Sequence, residues 1–514
     1  MPTLRSTRLR ITDKEDLHEA MFLRGWSDGL PLVPPTESRV RRMLHGTTRS
    51  ASEALGKCPP MYSEVTVEKV AINAVLAGCE PKQLRVVLAA TEAMLAEPFN
   101  LHGVSATTMG ATPCVLVNGP ARLDAGLNTG LGALGSGTRA NASVGRVLKL
   151  ILQNVGGAQL GGTESTTLGT PMKFTLCVAE CEEELSSGWE PFHCSRGFNR
   201  GDSAVTVLAV TSGPHQLVDF STREALQLCD LLAGILSAVY NPTLTMINEC
   251  LVVISPEHHR TLVRGGINSK AALCDALWHL CNRQINLQLH KTVRLVVPGL
   301  AGTVVGAVVG LIGRLINLTG AVLVYSLLRH WRSLIKVYSL LTWRNKKLRK
   351  FVSPESLHVI VAGASAGKFS AVCPGFGIGV PPMSTARLSQ AVTVAVESPL
   401  PGAAGMPEST GTSTGADGER DESVLLDPTG ELQAPPFWPQ ERSPMLAEGG
   451  VALLDISKAG GSVILSRIGK LLQGEFPGIQ THCFRKPTFS RPAPPSLLCE
   501  IAMRCRYVII AMAD

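Results

Sequence analysis

Fourteen cysteines, twelve histidines and a glycine-rich central stretch give this 514-residue chain its reactive side chains. The cysteines never stand as Cys-x-x-Cys, the spacing that zinc ribbons and thioredoxin-type sites need, so both are excluded within the chain. Cys177, Glu180, Cys181 and His193 can be drawn as a metal set, but Cys-x-x-x-Cys on a strand edge does not converge on one ion, and no metal is expected. Glycine is dense from Gly126 to Gly169, which predicts loops whose backbone approaches something closely. Asn118, Asn128, Arg139, Asn141 and Arg146 cluster there, and Glu180, Glu182, His193 and Asp202 follow. Such loops can hold a carboxylate or phosphate through backbone amides and a planar guanidinium. Ordinary turn chemistry is the competing reading. Gly363 to Lys368 nearly imitates a phosphate loop, but one intervening residue is missing and Phe369 stands where Ser or Thr should hold magnesium.

The elements that must position these residues point to an α/β fold. Helical periodicity runs through Thr66–Leu76 and Lys82–Leu95. Short apolar runs at Cys114–Val117, Phe174–Val178, Val205–Val210, Leu251–Ile254 and His358–Val361 read as strands. We expect a large N-terminal α/β domain over 1–283 that returns at 351–380. A disordered linker rich in Ser, Gly, Pro and Thr is expected over 381–447, and a small C-terminal domain over 448–514.

The formal charge of +7 is local. Between Gln284 and Pro354 stand eleven Lys/Arg and no acid, which leaves 7 − 11 = −4 for the rest and argues against a nucleic-acid partner. Within that insertion, Leu295 to Gly313 is nineteen residues without charge, and Leu318–Leu328 is apolar again. The stretch 295–328 is therefore a candidate membrane span, in competition with a buried hairpin or non-coding sequence. Met1 to Leu23 has no apolar signal-peptide core. The expected location is cytoplasmic, or membrane-associated if 295–328 crosses a bilayer.

The C-terminal segment reads strand, helix, strand, helix, strand: Val451–Ile456, Ser462–Leu472, Ile479–Phe484, Ser496–Cys505 and Tyr507–Met512. That alternation predicts an open parallel, Rossmann-like sheet with its chemistry beyond the carboxyl ends of the strands. Cys483, Cys499 and Cys505 fall inside these patterns and are expected to be buried.

Here the residues resemble a known family. Val451–Lys458 (VALLDISK), Arg485–Pro495 (RKPTFSRPAPP) and Tyr507–Asp514 look like the UGSC-like domain. Trp26–Thr36, Thr66–Cys79, Phe99–Thr108, Val117–Pro120 and Gly135–Arg146 look like the region often fused to it. The resemblance leaves out 284–350 and most of 381–447. It implies a selenocysteine-Gly-Ser-Cys motif, or Cys-Gly-Ser-Cys, straight after the third strand; a misread UGA codon after Asp514 is the expected reason for its absence, with a genuine truncation as the alternative. It further implies a thiol- or selenol-disulfide oxidoreductase, with selenium carried as selenocysteine and no other cofactor. Asp455, Arg485, Lys486, Ser490, Arg491 and Asp514 would support the reactive chalcogen. The reaction partners, a thiol or disulfide substrate and a reductant, are not named by these residues. Two alternatives stand: a small-anion or carboxylate-binding enzyme acting through the N-terminal domain, and a membrane-anchored interaction protein.

Overall fold

The structure is a computed structural model that describes residues 3–12, 15–219, 221–241, 247–281, 350–377, 389–398, 422–430, 450–457, 460–488 and 491–511. The candidate span 295–328 and the linker termini lie outside them, as do Ser490 and Asp514. Among the described residues no helix is long and apolar enough to cross a membrane.

The chain enters through β1 (Arg8–Thr12), α1 (Leu17–Leu23), α2 (Glu37–Leu44) and the hairpin of β2 (Ala54–Cys58) and β3 (Ser63–Thr66). Helices α3 (Val67–Ala77), α4 (Leu84–Leu95) and α5 (Leu101–Ser105) lead to β4 (Thr112–Asn118), α6 (Ala121–Asp124) and α7 (Arg139–Asn154). Strands β5 (Cys177–Ala179), β6 (Ala204–Val210) and β7 (His215–Val218) follow, then α8 (Ala225–Ala238), β8 (Cys250–Ile254), α9 (Pro256–Arg264) and α10 (Lys270–Leu280). Beyond the insertion come β9 (Leu357–Val361), β10 (Phe369–Pro374), β11 (Val392–Ala395) and β12 (Glu422–Leu426). The last elements are β13 (Gly450–Asp455), α11 (Gly461–Glu475), β14 (Thr481–Arg485), α12 (Pro495–Arg504) and β15 (Cys505–Ala511).

Two four-stranded sheets of the same build form the centre, in the orders β11-β6-β4-β5 and β7-β10-β8-β9. In each, an inner strand (β4 or β8) has a parallel neighbour on one side and an antiparallel one on the other, followed by an antiparallel edge. The edges are exchanged: β7 follows β6 in the chain but closes the second sheet, and β11 follows β10 but closes the first. Neither sheet is complete without a strand from the other half. The repeat is faint in sequence, but β6 and β10 both enter on Ser-Ala-Val, at 203–205 and 370–372.

Alternation along the strands assigns their faces. Val115, Val117, Val205 and Val207 share a core with α3, α4 and α7, while Cys114, Leu116 and Leu208 meet Leu251, Val253 and Ile360 of the second sheet. Val252, Ile254, Val359 and Val361 turn the other way, into the core formed with α8 and α10. The result is four layers, helix-sheet-sheet-helix, which explains why β4, β6 and β8 are mostly apolar and buried on both faces.

Three expectations change. The glycine-dense stretch contains the sixteen-residue helix α7, so Asn141 and Arg146 are helical and not in loops. Its Gly145 is required because a Cβ there would lie 2.5 Å from Thr175 Oγ1 and 2.6 Å from the Leu176 nitrogen. The span 381–447 is not all linker: β11 pairs with β6, and β12 pairs with β1 while burying Leu425 and Leu426. Both are short runs inside polar surroundings, and only a partner strand gives their few apolar residues cover. Of the strand expected over Phe174–Val178, only Cys177 and Val178 are in a strand; Pro171–Lys173 makes a 3-10 turn before it.

The C-terminal sheet is parallel as expected, in the order β14-β13-β15. Helices α11 and α12 lie on opposite faces, in cores centred on Val451 with Leu453 and on Ala452 with Leu454.

Candidate functional site

Because β13, β14 and β15 run parallel, their carboxyl ends come to one edge, with Asp455 level with Arg485 and Ala511. A tight turn organises that edge. Ser457, held at a left-handed φ of 69°, donates its N–H to Asp455 Oδ1 (2.9 Å), and its hydroxyl donates to the Lys486 carbonyl. Arg485 Nε donates to Ser457 Oγ (3.1 Å) and lies 3.6 Å from Asp455 Oδ2. The Lys486 N–H donates to the Asp455 carbonyl (2.8 Å). Asp455 is buried and Arg485 is 70% exposed, so the edge presents a cation to solvent above a buried carboxylate.

The loop after β14 reaches the N-terminal region. Arg491 Nη1 pairs with Glu97 Oε1 at 2.8 Å. Close by, the Tyr62 hydroxyl lies 3.3 Å from His102 Nδ1, with the two rings stacked. Burial lowers the His102 pKa, and the charge of Lys486 lowers it further. Tyr62 (φ 56°) and Asn100 (φ 54°) both hold left-handed backbone, uncommon for residues other than glycine. Sequence reasoning passed over Tyr62 and His102. His102 lies inside the quoted Phe99–Thr108 segment, but nothing in its spacing sets it apart.

Cys483 and Cys499 are exposed and Cys505 is half-buried, contrary to expectation. Strand β14 is an edge strand, and α12 also leaves Leu498 and Met503 in solvent, so periodicity here did not imply burial on every apolar position.

The N-terminal candidates separate into distinct sets. Asn118 at the end of β4 donates from Nδ2 to Glu180 Oε2 (2.8 Å) and Glu182 Oε1 (3.1 Å). Glu180, fully buried, also accepts from the Phe192 N–H (2.7 Å), the Val361 N–H (3.2 Å) and Lys270 Nζ. It therefore joins β4, β5, β9 and α10, and with the Cys181 N–H bond to the Val361 carbonyl (2.8 Å) it ties the two sheets together. Glu182 accepts the Gly119 N–H (2.7 Å), and buried Arg122 pairs with Glu183 (2.6 Å). Arg122 and Lys270 were not among the candidates, because a lone basic residue in a helix carries no sequence signal.

Asn128 and Asn141 bond to each other's stretch: the Asn128 N–H to Asn141 Oδ1 (2.8 Å) and Asn141 Nδ2 to the Asn128 carbonyl (3.0 Å). Arg146 clamps Asp28 through Nε (2.8 Å) and Nη2 (2.7 Å). Asp202 accepts from the Asn199 N–H (2.7 Å), and His193 Nε2 bonds the Asn199 carbonyl (2.9 Å). Arg139 stands apart from all of these, beside Gly78 and Glu80. Cys177 is buried in β5, and burial pushes its thiol up to about 12.

Two look-alikes resolve into structure. The Gly363–Lys368 loop turns directly into β10 with no helix to cradle a phosphate, and Lys368 Nζ donates to the Thr222 carbonyl (2.7 Å). Ser370, His258 and Asp219 gather like the members of a hydrolase triad but with the ring reversed: Ser370 Oγ is 2.8 Å from His258 Nδ1, and His258 Nε2 lies 3.8 Å from Asp219, beyond hydrogen-bond reach. All three are buried, at 4%, 1% and 5% exposure, so a substrate carbonyl has no approach to Ser370.

Comparison with known proteins bears on the small sheet. No curated protein and no solved structure matches the chain. The model of the UGSC family matches residues 424–514, from within β12 through all of β13–β15. The parallel sheet with the organised Asp455–Arg485 edge thus lies inside the matched segment, and the chain carries a UGSC-like domain at residues 424–514.

Proposed function

We propose thiol- or selenol-disulfide exchange at the carboxyl edge of the β14-β13-β15 sheet. The observation that carries this reading is the gathering of Asp455, Ser457, Arg485 and Lys486 at that edge within the family-matched segment. In the family pattern the reactive chalcogen follows the third strand, which here is β15, and a group leaving that strand end emerges at the same carboxyl edge as Arg485 and Lys486, with β13 between them. Their positive charge favours the anionic form of a thiol or selenol, as a neighbouring Lys or Arg does elsewhere. The thiolate or selenolate attacks one sulfur of a disulfide and releases the other as a thiolate. The second thiol of the motif, as its thiolate, then attacks the mixed bond and displaces the substrate half still held there as a second thiolate, leaving an internal bond that an external dithiol reduces. Selenium as selenocysteine is the cofactor this reading calls for.

The test compares residues 1–514 with the same chain carrying Cys-Gly-Ser-Cys directly after Asp514. Both are assayed for reduction of an aromatic disulfide with a dithiol as electron donor. The extended chain turns over, serine in place of its first added cysteine abolishes turnover, and Arg485→Ala raises the pH at which the rate reaches half its maximum. An extended chain that folds and reacts no faster than 1–514 overturns the proposal.

A further inference from the structure

Arg39, Arg42 and Arg139 line a cavity of about 50 Å³ together with Val33, Met43 and Val75. The elements explain why they meet. Arg39 and Arg42 are three positions apart on α2 and so share a face of that helix. Arg139 opens α7, and its Nε donates to the carbonyl of Gly78, the left-handed residue that ends α3 (2.9 Å).

The guanidiniums keep most of their hydrogen-bonding capacity. Each carries five N–H donors. Arg139 uses one on Gly78 and one on Glu80 Oε1 (3.1 Å), and Arg39 uses one on the Pro34 carbonyl (3.0 Å). The Arg42 side chain has no hydrogen bond or ion pair to any described residue. Carboxylates nearby are already engaged: Glu80 is shared with Lys82 (3.1 Å), and Glu37 of α2 is held by Arg8 (3.2 Å) and Arg41 (2.6 Å). Arg39, Arg42, Arg139 and Lys82 against Glu80 leave 4 − 1 = +3 at this spot, in a chain that is net negative outside 284–350.

We propose that this cavity binds a small oxyanion, a phosphate or a carboxylate group, through Arg39, Arg42 and Arg139. An oxyanion relieves the mutual repulsion of the guanidiniums and accepts several charge-assisted hydrogen bonds at once. A water needs about 10–15 Å³ of such space, so the cavity admits one small group of a few heavy atoms. The apolar wall of Val33, Met43 and Val75 accommodates a short carbon chain beside it. Cys79 also lines the cavity, but burial drives its thiol well above the ordinary range, so the site binds and does not form a covalent bond. It is independent of the redox proposal and stands if that proposal fails.

The test is calorimetric titration of the full chain with inorganic phosphate and, separately, with propionate, at ionic strength held constant with sodium chloride. At least one of the two binds saturably. R42A weakens that binding tenfold or more and R39A weakens it in the same direction, while R467A on α11 leaves it unchanged. Arg39 and Arg42 are exposed, so both variants retain the fold. Whichever anion binds more tightly identifies the ligand class. Binding of neither anion, or unchanged binding in both R42A and R39A, overturns the proposal.

Discussion

Removing the Lys270 ammonium while keeping its stem, in Lys270→Met, should open the seam between the two central sheets. Glu180 is fully buried and accepts from Asn118, Phe192, Val361 and Lys270, and only Lys270 carries charge. Breaking a buried ion pair from one side typically costs about 3–5 kcal/mol, because the remaining charge stays desolvated. Lys270 is 14% exposed and three neutral donors remain, which places this case near about 3 kcal/mol. That corresponds to a factor of roughly 150 in the local opening equilibrium, at about 1.4 kcal/mol per tenfold. Hydrogen exchange at the Phe192 and Val361 amides reads the seam directly, and their protection should fall by that factor. In the double variant Glu180→Gln with Lys270→Met, no charge is left unpaired and the loss should be about 1–2 kcal/mol. If Lys270→Met changes protection less than fivefold, or the double variant loses as much as the sum of the singles, the seam is not held by this pair.

Three further outcomes follow from other sites. Burial, together with the charges of Lys270 and Arg260, lowers the His259 pKa to about 4, against an opposing effect of Glu180. Its Nε2 accepts the Ser186 N–H (3.1 Å), a bond that a protonated ring cannot keep. The unfolded state therefore binds a proton near pH 6.5 and the folded state does not, so stability is complete above pH 6.5 and falls by about 3 kcal/mol down to pH 4; urea titrations across that range should show His259→Gln with a flatter profile. Gly119→Ala should lower the melting temperature and cost more than about 2 kcal/mol, because φ is 76° and a Cβ would sit 2.0 Å from the Asp202 carbonyl oxygen. A thiol reagent applied to the native chain should modify Cys483 and Cys499 within minutes while Cys58, Cys114 and Cys373 stay unmodified, as peptide mass mapping would show; equal labelling would contradict the burial assignments.

Periodicity located α3, α4 and the parallel C-terminal unit within a few residues, since a helix or strand that buries one face writes its period into the chain. It failed at α7, where Gly145 resembles a loop residue until the 175–176 backbone is laid against it. It failed again at β11 and β12, whose few apolar residues gain burial only beside strands some 190 and 410 positions earlier.

Composition and local order by themselves determined the α/β class, the confinement of the positive charge to one insertion, and the three parallel strands whose carboxyl ends meet. These depend on interactions within a few residues or on simple sums. The tertiary structure alone decided the rest: the exchange of edge strands between two like-built sheets, the seam on Glu180 and Lys270, the approach of Arg491 to Glu97, and the gathering of Arg39, Arg42 and Arg139. Each joins residues far apart in the chain. A polar or charged side chain bears no mark of its partner until burial removes water as the alternative.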